Sequence, residues 1–265
     1  MAPLQPSLLA FDFDGVICDG LIEYFQTAWR AYQRLFPAAP ATPPAGLAEQ
    51  FYPLRPVIET GWEMPILLRA LLQDVPPEAI LQDWPTLAHK TIQQAQLETD
   101  TAMQAVDGVR DEWIQSDLDN WLGQHRFYPG VVERLQHCLA ADMTVVIIST
   151  KEGRFIAQLL QQQGIDFPAG QIFGKEVKQP KAQTLKQLAE QHTRPQAAGI
   201  WFIEDRVKTL QKVQQVADLR QAQLFLADWG YNTTSDRAIA QSDPHLHLLS
   251  LSQLVQEFSI WLSPS

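Results

Sequence analysis

Two acidic residues, Asp12 and Asp14, end an apolar run near the start of the chain in the stretch LLAFDFDGV. While a strand persists, residues two apart share one face, so both carboxylates can reach the same substrate. That spacing allows one carboxylate to attack as a nucleophile while its neighbour moves a proton. Gly15 follows at once and allows the chain to turn away without a Cβ clash. Acids also close apolar strands simply because turns favour them, and the choice between these interpretations depends on the rest of the chain.

Later in the chain, other reactive side chains stand where an apolar run ends or where a predicted helix begins. These side chains are Ser149, Lys181, Glu204 and Asp205. The carboxyl ends of parallel strands meet at one edge of a sheet, where ligands bind. We therefore expect all of these residues to lie at one edge, together with the first two acids.

A cluster of this kind needs positive charge. Several carboxylates held close repel one another unless protons, a cation or a lysine compensate. A divalent ion that prefers oxygen ligands is the natural remedy, and Mg²⁺ binds one or two protein carboxylates together with waters and substrate phosphate. The pattern therefore indicates phosphoryl transfer with Mg²⁺ as cofactor, a reaction in which positioning and charge neutralisation carry most of the catalysis.

The flanks of the chain predict the elements that position these residues. Near-continuous apolar runs, typical of strands buried on both faces of a parallel sheet, cover residues 7–11, 144–149, 199–204, 222–227 and 245–250. Helical spacing of apolar residues covers 131–140, 154–163, 182–191 and 207–216. The alternation predicts an α/β fold with a Rossmann-like parallel-sheet core.

The middle of the chain is different, because it has no convincing strand run and contains most of the tryptophans. We interpret residues 19–127 as an inserted α-helical domain and residues 1–18 with 128–265 as the α/β core domain. The spacing predicts a first helix over 21–36, with Asp19 as its cap, and a last one over 106–124.

The overall composition is that of a globular chain that does not bind nucleic acid. The 265 residues are 46% hydrophobic, and 20 Lys and Arg against 30 Asp and Glu give a formal charge of −10, which repels phosphate backbones and anionic membranes. No stretch approaches the roughly 18 apolar residues of a membrane helix. Cys18 and Cys138 fit neither a disulfide framework nor a paired metal site, and the start of the chain does not resemble a signal peptide. We therefore expect a cytoplasmic protein, and the sequence leaves its oligomeric state open.

Four segments in order carry a resemblance to a known family. They are FDFDGV, VVIIST, the lysine of KQPKAQTLKQL and the acidic pair of WFIEDR. They resemble the four motifs of the haloacid dehalogenase (HAD) superfamily, and more narrowly its phosphoglycolate phosphatase-like branch, whose helical cap is inserted just after the first motif. The resemblance covers nearly all of residues 7–260, including a late WGYN, and implies a Mg²⁺-dependent phosphatase.

The resemblance implies a role for each matching residue. Asp12 is the expected nucleophile that becomes an aspartyl-phosphate, and Asp14 is the expected general acid and base. The phosphoryl group is expected to contact Ser149, backbone N–H groups near Thr150 where a helix starts, and Lys181. The implied Mg²⁺ ligands are Asp12, the main-chain carbonyl of Asp14 and Asp205.

The fourth motif departs from the family pattern. This branch carries a second acid four or five residues after the first, where this chain has Thr209 and Leu210. Glu204 is a possible replacement as metal ligand, although neighbouring strand residues point in opposite directions unless the strand has already turned.

Three functions stay open at this point. The first is a Mg²⁺-dependent phosphatase that acts on a small phosphorylated metabolite. The second is a phosphosugar mutase of the same superfamily, which returns the phosphoryl group to a second hydroxyl. The third is a HAD-like binding or regulatory protein whose catalysis is weakened by the missing acid.

Overall fold

The chain divides into two compact units, seen in a computed structural model that describes residues 5–141, 143–191 and 199–263. One unit contains the chain up to Asp19 and from Arg126 onward, and the other is Gly20–His125. The boundaries differ by one and two residues from the predicted 19–127, because Asp19 pairs with Arg126 in a short antiparallel two-stranded sheet.

The second unit is helical. Its elements are α1 (Leu21–Leu35), α2 (Leu47–Phe51), a 3-10 helix (Tyr52–Val57), α3 (Glu63–Leu72), α4 (Pro77–Gln94), α5 (Thr99–Ser116) and α6 (Leu118–Leu122). The single last helix predicted over 106–124 is wrong, since α5 begins earlier and Asp117 interrupts it with an extended φ of −156°. The Asp117 side chain then accepts a hydrogen bond from the Asn120 N–H and caps α6. Asp19 does not cap α1, because Gly20 occupies the N-cap position.

The first unit is built on a parallel sheet. The strands of the chain are β1 (Leu8–Phe11), β2 (Cys18–Asp19), β3 (Arg126–Phe127), β4 (Val145–Ile148), β5 (Ile172–Phe173), β6 (Ile200–Glu204), β7 (Gln223–Ala227) and β8 (Leu246–Leu249). Six of them form one sheet in the order β5-β4-β1-β6-β7-β8, with every pairing parallel, while β2 and β3 form a separate antiparallel two-stranded sheet. The predicted α/β class is confirmed, and the five predicted apolar runs contain the five longer strands of the sheet.

Helices cover both faces of this sheet. They are α7 (Val131–Ala140), α8 (Gly153–Gln162), α9 (Lys181–Gln191), α10 (Val207–Gln214), α11 (Thr234–Ser242), α12 (Leu251–Leu254) and α13 (Phe258–Trp261), with 3-10 helices at Ala169–Gln171, Lys175–Val177 and Ala217–Leu219. Neighbouring residues of a strand pack in different parts of the core. In β6, Phe202 packs in the cluster that contains Leu185 and Leu210, whereas Trp201 contacts the rings of Phe258 and Trp261. Within the described residues, no helix combines the length and the apolar character that a membrane crossing requires.

Candidate active site

Three adjacent strands end at the same edge of the sheet, and a polar residue stands at the end of each strand or directly after it. Asp12 directly follows β1, Ser149 directly follows β4, and Glu204 is the last residue of β6. β1 lies between the other two strands. The backbone keeps its pairing at these positions, since the N–H of Asp12 donates to the carbonyl of Ile203 at 2.9 Å. The carboxyl end of the sheet therefore holds these side chains in place.

Lys181, the first residue of α9, joins two of the acids. Its Nζ lies 2.7 Å from Oδ2 of Asp12 and 2.7 Å from Oε2 of Glu204. Burial alone would lower the pKa of the lysine, but the two carboxylates outweigh burial and raise this pKa above its ordinary value. Lys181 is therefore held in its charged form between the two acids.

A third acid completes a buried cluster. One carboxylate oxygen from each of Asp12, Glu204 and Asp205 lies within 4.8 Å of the others. Burial raises the pKa of Asp12 to about 7 and that of Glu204 to about 7, against the lowering influence of Lys181 on both. Burial and the charge of Asp12 raise the pKa of Asp205 to about 6, opposed by the N–H of Tyr231. The cluster thus holds more negative charge than one lysine neutralises.

The loop after β7 fixes Asp205. The N–H of Tyr231 donates to Oδ2 of Asp205 at 2.9 Å, and the side-chain amide of Asn232 donates to the Asp205 carbonyl at 3.1 Å. Two glycines leave room for this acid: a Cβ at Gly15 would collide with its carboxylate, and a Cβ at Gly230 would collide with its Cβ. Gly15 also has a φ of +83°, which favours glycine.

Asp14 stands apart from the buried cluster. β1 has already ended at Phe11, so the two-residue strand period does not govern the direction of Asp14, which forms an isolated bridge with Cys18. Its Oδ1 lies 3.3 Å from Nζ of Lys151. Oδ1 is buried and accepts no hydrogen bond among the described residues, so its contact with Lys151 is an ion pair only.

The segment after β4 contains the expected phosphate-binding residues. Ser149 is buried and Thr150 is exposed. α8 begins at Gly153, one residue before the helical spacing predicted from 154 and three residues after Thr150. The N–H of Gly153 donates to the carboxylate of Glu176 at 3.0 Å, which leaves that donor less available to a phosphate. The hydroxyl of Ser149 accepts from the N–H of Lys151 at 3.3 Å.

The positions of the missing second acid lie on α10. Leu210 is fully buried in the core beside the sheet, and Thr209 is partly exposed. Core packing therefore occupies one of the two positions at which the family pattern carries an acid. Glu204 has partners for both oxygens, since Oε2 receives Lys181 and Oε1 accepts from the N–H of Arg206 at 3.1 Å.

Sequence reasoning missed several residues that shape this site. Lys151 directly follows the quoted segment VVIIST, and Gly230 and Tyr231 lie in WGYN, but no role was assigned to any of the three. Glu176 had no signal in the sequence. A lysine that reaches back to an acid, and a backbone N–H that holds a carboxylate, become visible only in three dimensions.

Comparisons with known proteins give the family and the fold of this chain. The family model of the haloacid dehalogenase-like hydrolases matches residues 6–211. A comparison with curated proteins found no match. Similar solved structures include a haloacid dehalogenase-like family hydrolase of Streptococcus pneumoniae, with a TM-score of 0.58 and 16% identity over 95% of each chain.

Two further solved structures have the same kind of likeness. A Clostridium acetobutylicum protein described as a "predicted phosphatase" has a TM-score of 0.57 and 14% identity over 95% of this chain and 97% of its own. A Haemophilus somnus protein described as a "predicted phosphoglycolate phosphatase" has a TM-score of 0.56 and 16% identity over 87% of this chain and 88% of its own. At these identities the likeness shows a shared fold.

Proposed function

Because the chain belongs to the haloacid dehalogenase-like hydrolase family, we propose that it is a Mg²⁺-dependent phosphatase of a small phosphorylated metabolite. The observation that carries the proposal is the buried ion pair between Lys181 and Asp12, 2.7 Å long, within a cluster of three carboxylates at the carboxyl edge of the sheet. A carboxylate beside a fixed cation is placed to attack a phosphoryl group whose negative charge the same cation attracts.

The proposed reaction has two steps. In the first, a carboxylate oxygen of Asp12 attacks phosphorus, the bond from phosphorus to the leaving-group oxygen breaks, and Asp14 gives that oxygen a proton. In the second, water attacks the phosphorus of the aspartyl-phosphate, Asp14 takes the proton of the water, and the bond to Asp12 breaks. Inorganic phosphate leaves and both acids return to their starting forms.

The residues of the cluster fit a divalent cation. Three carboxylates against one ammonium leave an excess of two negative charges when all are ionised, and oxygen donors are the ligands that Mg²⁺ prefers. We propose Asp12, Asp205 and the main-chain carbonyl of Asp14 as its ligands. When bound, Mg²⁺ would neutralise charge on the phosphoryl group and favour the ionised form of Asp12.

Glu204 receives a different role from the one that the sequence suggested. Its two oxygens already accept from Lys181 and from the N–H of Arg206, so donors from two other residues hold this carboxylate. We propose that Glu204 holds Lys181 against Asp12, and that Asp205 supplies the metal ligand of this strand end.

Other parts of the proposal concern substrate and location. We propose that the phosphoryl group contacts Ser149 and the loop around Thr150, and that the helical unit is the cap domain of this family. The formal charge of −10 supports a small metabolite rather than nucleic acid as substrate. The free, buried Cys18 and Cys138 support a cytoplasmic location.

The decisive experiment measures phosphate release from p-nitrophenyl phosphate with Mg²⁺ and with EDTA. We expect Mg²⁺-dependent release by the wild type and a loss of at least about a thousand-fold in Asp12→Asn. Asp166→Asn makes the same chemical change at an exposed position and is the matched control. Equal rates for wild type and Asp12→Asn would refute the proposal.

One observation favours a second candidate, a binding or regulatory protein with little turnover. Leu210 is fully buried in the core, at a position where the family pattern carries an acid. Calorimetry with Mg²⁺ and beryllium fluoride separates the two candidates, because a phosphatase takes up both. A folded wild type that takes up neither and releases no phosphate would favour the second candidate.

A further inference from the structure

Lys151 and Asp14 form a further lysine-carboxylate pair beside the proposed reacting centre, in addition to the two contacts that Lys181 makes with Asp12 and Glu204. The lysine side chain is 10% exposed and the aspartate side chain 15% exposed, and Nζ is 3.3 Å from Oδ1. Water therefore screens this pair less than a surface pair. Lys151 touches the acid proposed to move protons, whereas Lys181 touches the acid proposed to attack.

The backbone around Lys151 is fixed at both ends. Its N–H donates to the hydroxyl of Ser149 at 3.3 Å, and its carbonyl accepts from the N–H of Lys175 at 2.9 Å. The start of α8 is held to the segment around Lys175 as well. The Glu176 carboxylate accepts from the N–H of Gly153 at 3.0 Å and from the N–H of Gly174 at 3.3 Å. A side chain on so fixed a backbone can hold its partner in one orientation.

Asp14 lacks other side-chain support on the atom that faces this lysine. Its Oδ1 is buried and accepts no hydrogen bond among the described residues. Once Asp14 has given up its proton, a buried charged oxygen without a hydrogen bond is costly unless a counter-charge lies close. The Lys151 ammonium is such a counter-charge, and its removal would leave the carboxylate to turn toward water or another donor.

We propose that Lys151 is a positioning residue for Asp14, which it holds in the orientation that delivers a proton to the leaving group. The ammonium also attracts the negative charge that Asp14 acquires as it gives up this proton, so the contact is strongest where the first step needs it. The inference rests on the proposed phosphatase function and assigns Lys151 to proton transfer rather than to binding of the phosphoryl group.

The leaving group of the substrate tests this assignment. Phenyl phosphate has a poor leaving group that needs a proton, whereas 2,4-dinitrophenyl phosphate has a good one that departs without it. In Lys151→Met we expect kcat/KM to fall by about 10²-fold for phenyl phosphate and by less than about threefold for 2,4-dinitrophenyl phosphate. Asp14→Asn should show the same contrast, Lys151→Arg should recover part of the loss, and Lys212→Met is the control at an exposed position.

Two kinetic outcomes would overturn the inference. Equal losses for both substrates in Lys151→Met would mean that the lysine acts on the phosphoryl group or on folding. A double variant with Lys151→Met and Asp14→Asn should be no slower on phenyl phosphate than Asp14→Asn alone, because the lysine acts through the acid. Additive losses would contradict that expectation.

A structural measurement decides the inference even if the proposed function fails. Absence of Asp12-dependent phosphate release by the wild type refutes the phosphatase, not the contact. Crystal structures of Lys151→Met and Lys212→Met should show the Asp14 carboxylate displaced in the first variant only. An Asp14 carboxylate that keeps its orientation in Lys151→Met would overturn the positioning role whatever the activity.

Discussion

Lys181 lies 2.7 Å from Asp12 at the carboxyl edge of the sheet, where the lysine side chain is 14% exposed and the aspartate side chain 9% exposed. The same ammonium also contacts Glu204 at 2.7 Å. One lysine thus supports two acids whose burial raises their pKa. The folding stability and the proposed chemistry of this site therefore depend on the same group.

Removal of this lysine should destabilise the protein in a pH-dependent way. Lys181→Met leaves two buried carboxylates without a cation, which should lower the free energy of unfolding by about 3–5 kcal/mol at pH 8. The carboxyl groups of Asp12 and Glu204 would then have folded pKa values above the unfolded ones, so the penalty is present at high pH and is lost as pH falls through the folded values. Urea unfolding at pH 8 and pH 5 measures the difference.

The same helix supplies the control for that prediction. Lys186, also in α9, pairs with Asp218 at 2.9 Å on the surface. Lys186→Met should change the stability little at either pH, because water and salt screen exposed pairs. A loss in Lys181→Met that is no larger than in Lys186→Met, or that grows toward pH 5, would contradict the buried-pair interpretation.

Mg²⁺ should stabilise the protein through Asp205 rather than Glu204. At a free concentration of 100 times Kd, a ligand that binds only the folded state adds about 2.7 kcal/mol to the free energy of unfolding. We expect a rise in Tm with Mg²⁺ in the wild type and in Glu204→Gln, and no rise in Asp205→Asn. The reverse result for the two variants would make Glu204 the ligand.

Mg²⁺ binding should release protons and weaken in acid. Without metal, the pKa values of Asp12 and Asp205 are raised to about 7 and about 6, so both groups are partly protonated between pH 6 and pH 7. The metal needs the ionised forms, so protons compete with it and Kd should increase as pH falls from about 8 to 5.5. Calorimetry in two buffers of different ionisation enthalpy measures the protons released, and a Kd that does not change with pH would count against these ligands.

Gly15→Ala should disturb Asp205 as well as the backbone. The substitution adds strain at a φ of +83° and places a Cβ against the Asp205 carboxylate. Gly164→Ala is the matched control, because Gly164 has a φ of +70° and no atom within 4 Å of its added Cβ. Both variants should lose about 1–3 kcal/mol from backbone strain. Only Gly15→Ala should also lose the Tm response to Mg²⁺, and a retained response would show that the acid can move aside.

The sequence was most informative where burial dictates the pattern. Four of the five longer strands of the sheet are buried at every residue or at all but one, and their apolar runs were readable, whereas β5 has only two residues, both half-buried, and left no run to detect. The break between α5 and α6 was missed because the Asp117 side chain competes locally with the helix, and apolar spacing alone does not register this.

The candidate site was predictable to a similar degree. Strand ends bring Asp12 and Glu204 to one edge, and Lys181 could be placed there from its position at the start of a helix. The choice of partners was not predictable, because it depends on how the chain turns after each strand. Glu204 binds Lys181, and Asp205 accepts a hydrogen bond from the backbone N–H of Tyr231 in a distant loop. No residue type in the sequence predicts either contact.

The hydrogen bond from Tyr231 to Asp205 has a consequence for sequence variation among relatives. The backbone N–H makes the contact with Asp205, while the hydroxyl of the same residue donates to Asp19 at 2.9 Å. Any residue except proline supplies that N–H, so position 231 can diverge among relatives without loss of the acid's orientation. Its neighbour Gly230 has no such freedom, since a Cβ there would collide with Asp205. Two adjacent positions that support one carboxylate should therefore evolve under opposite constraints.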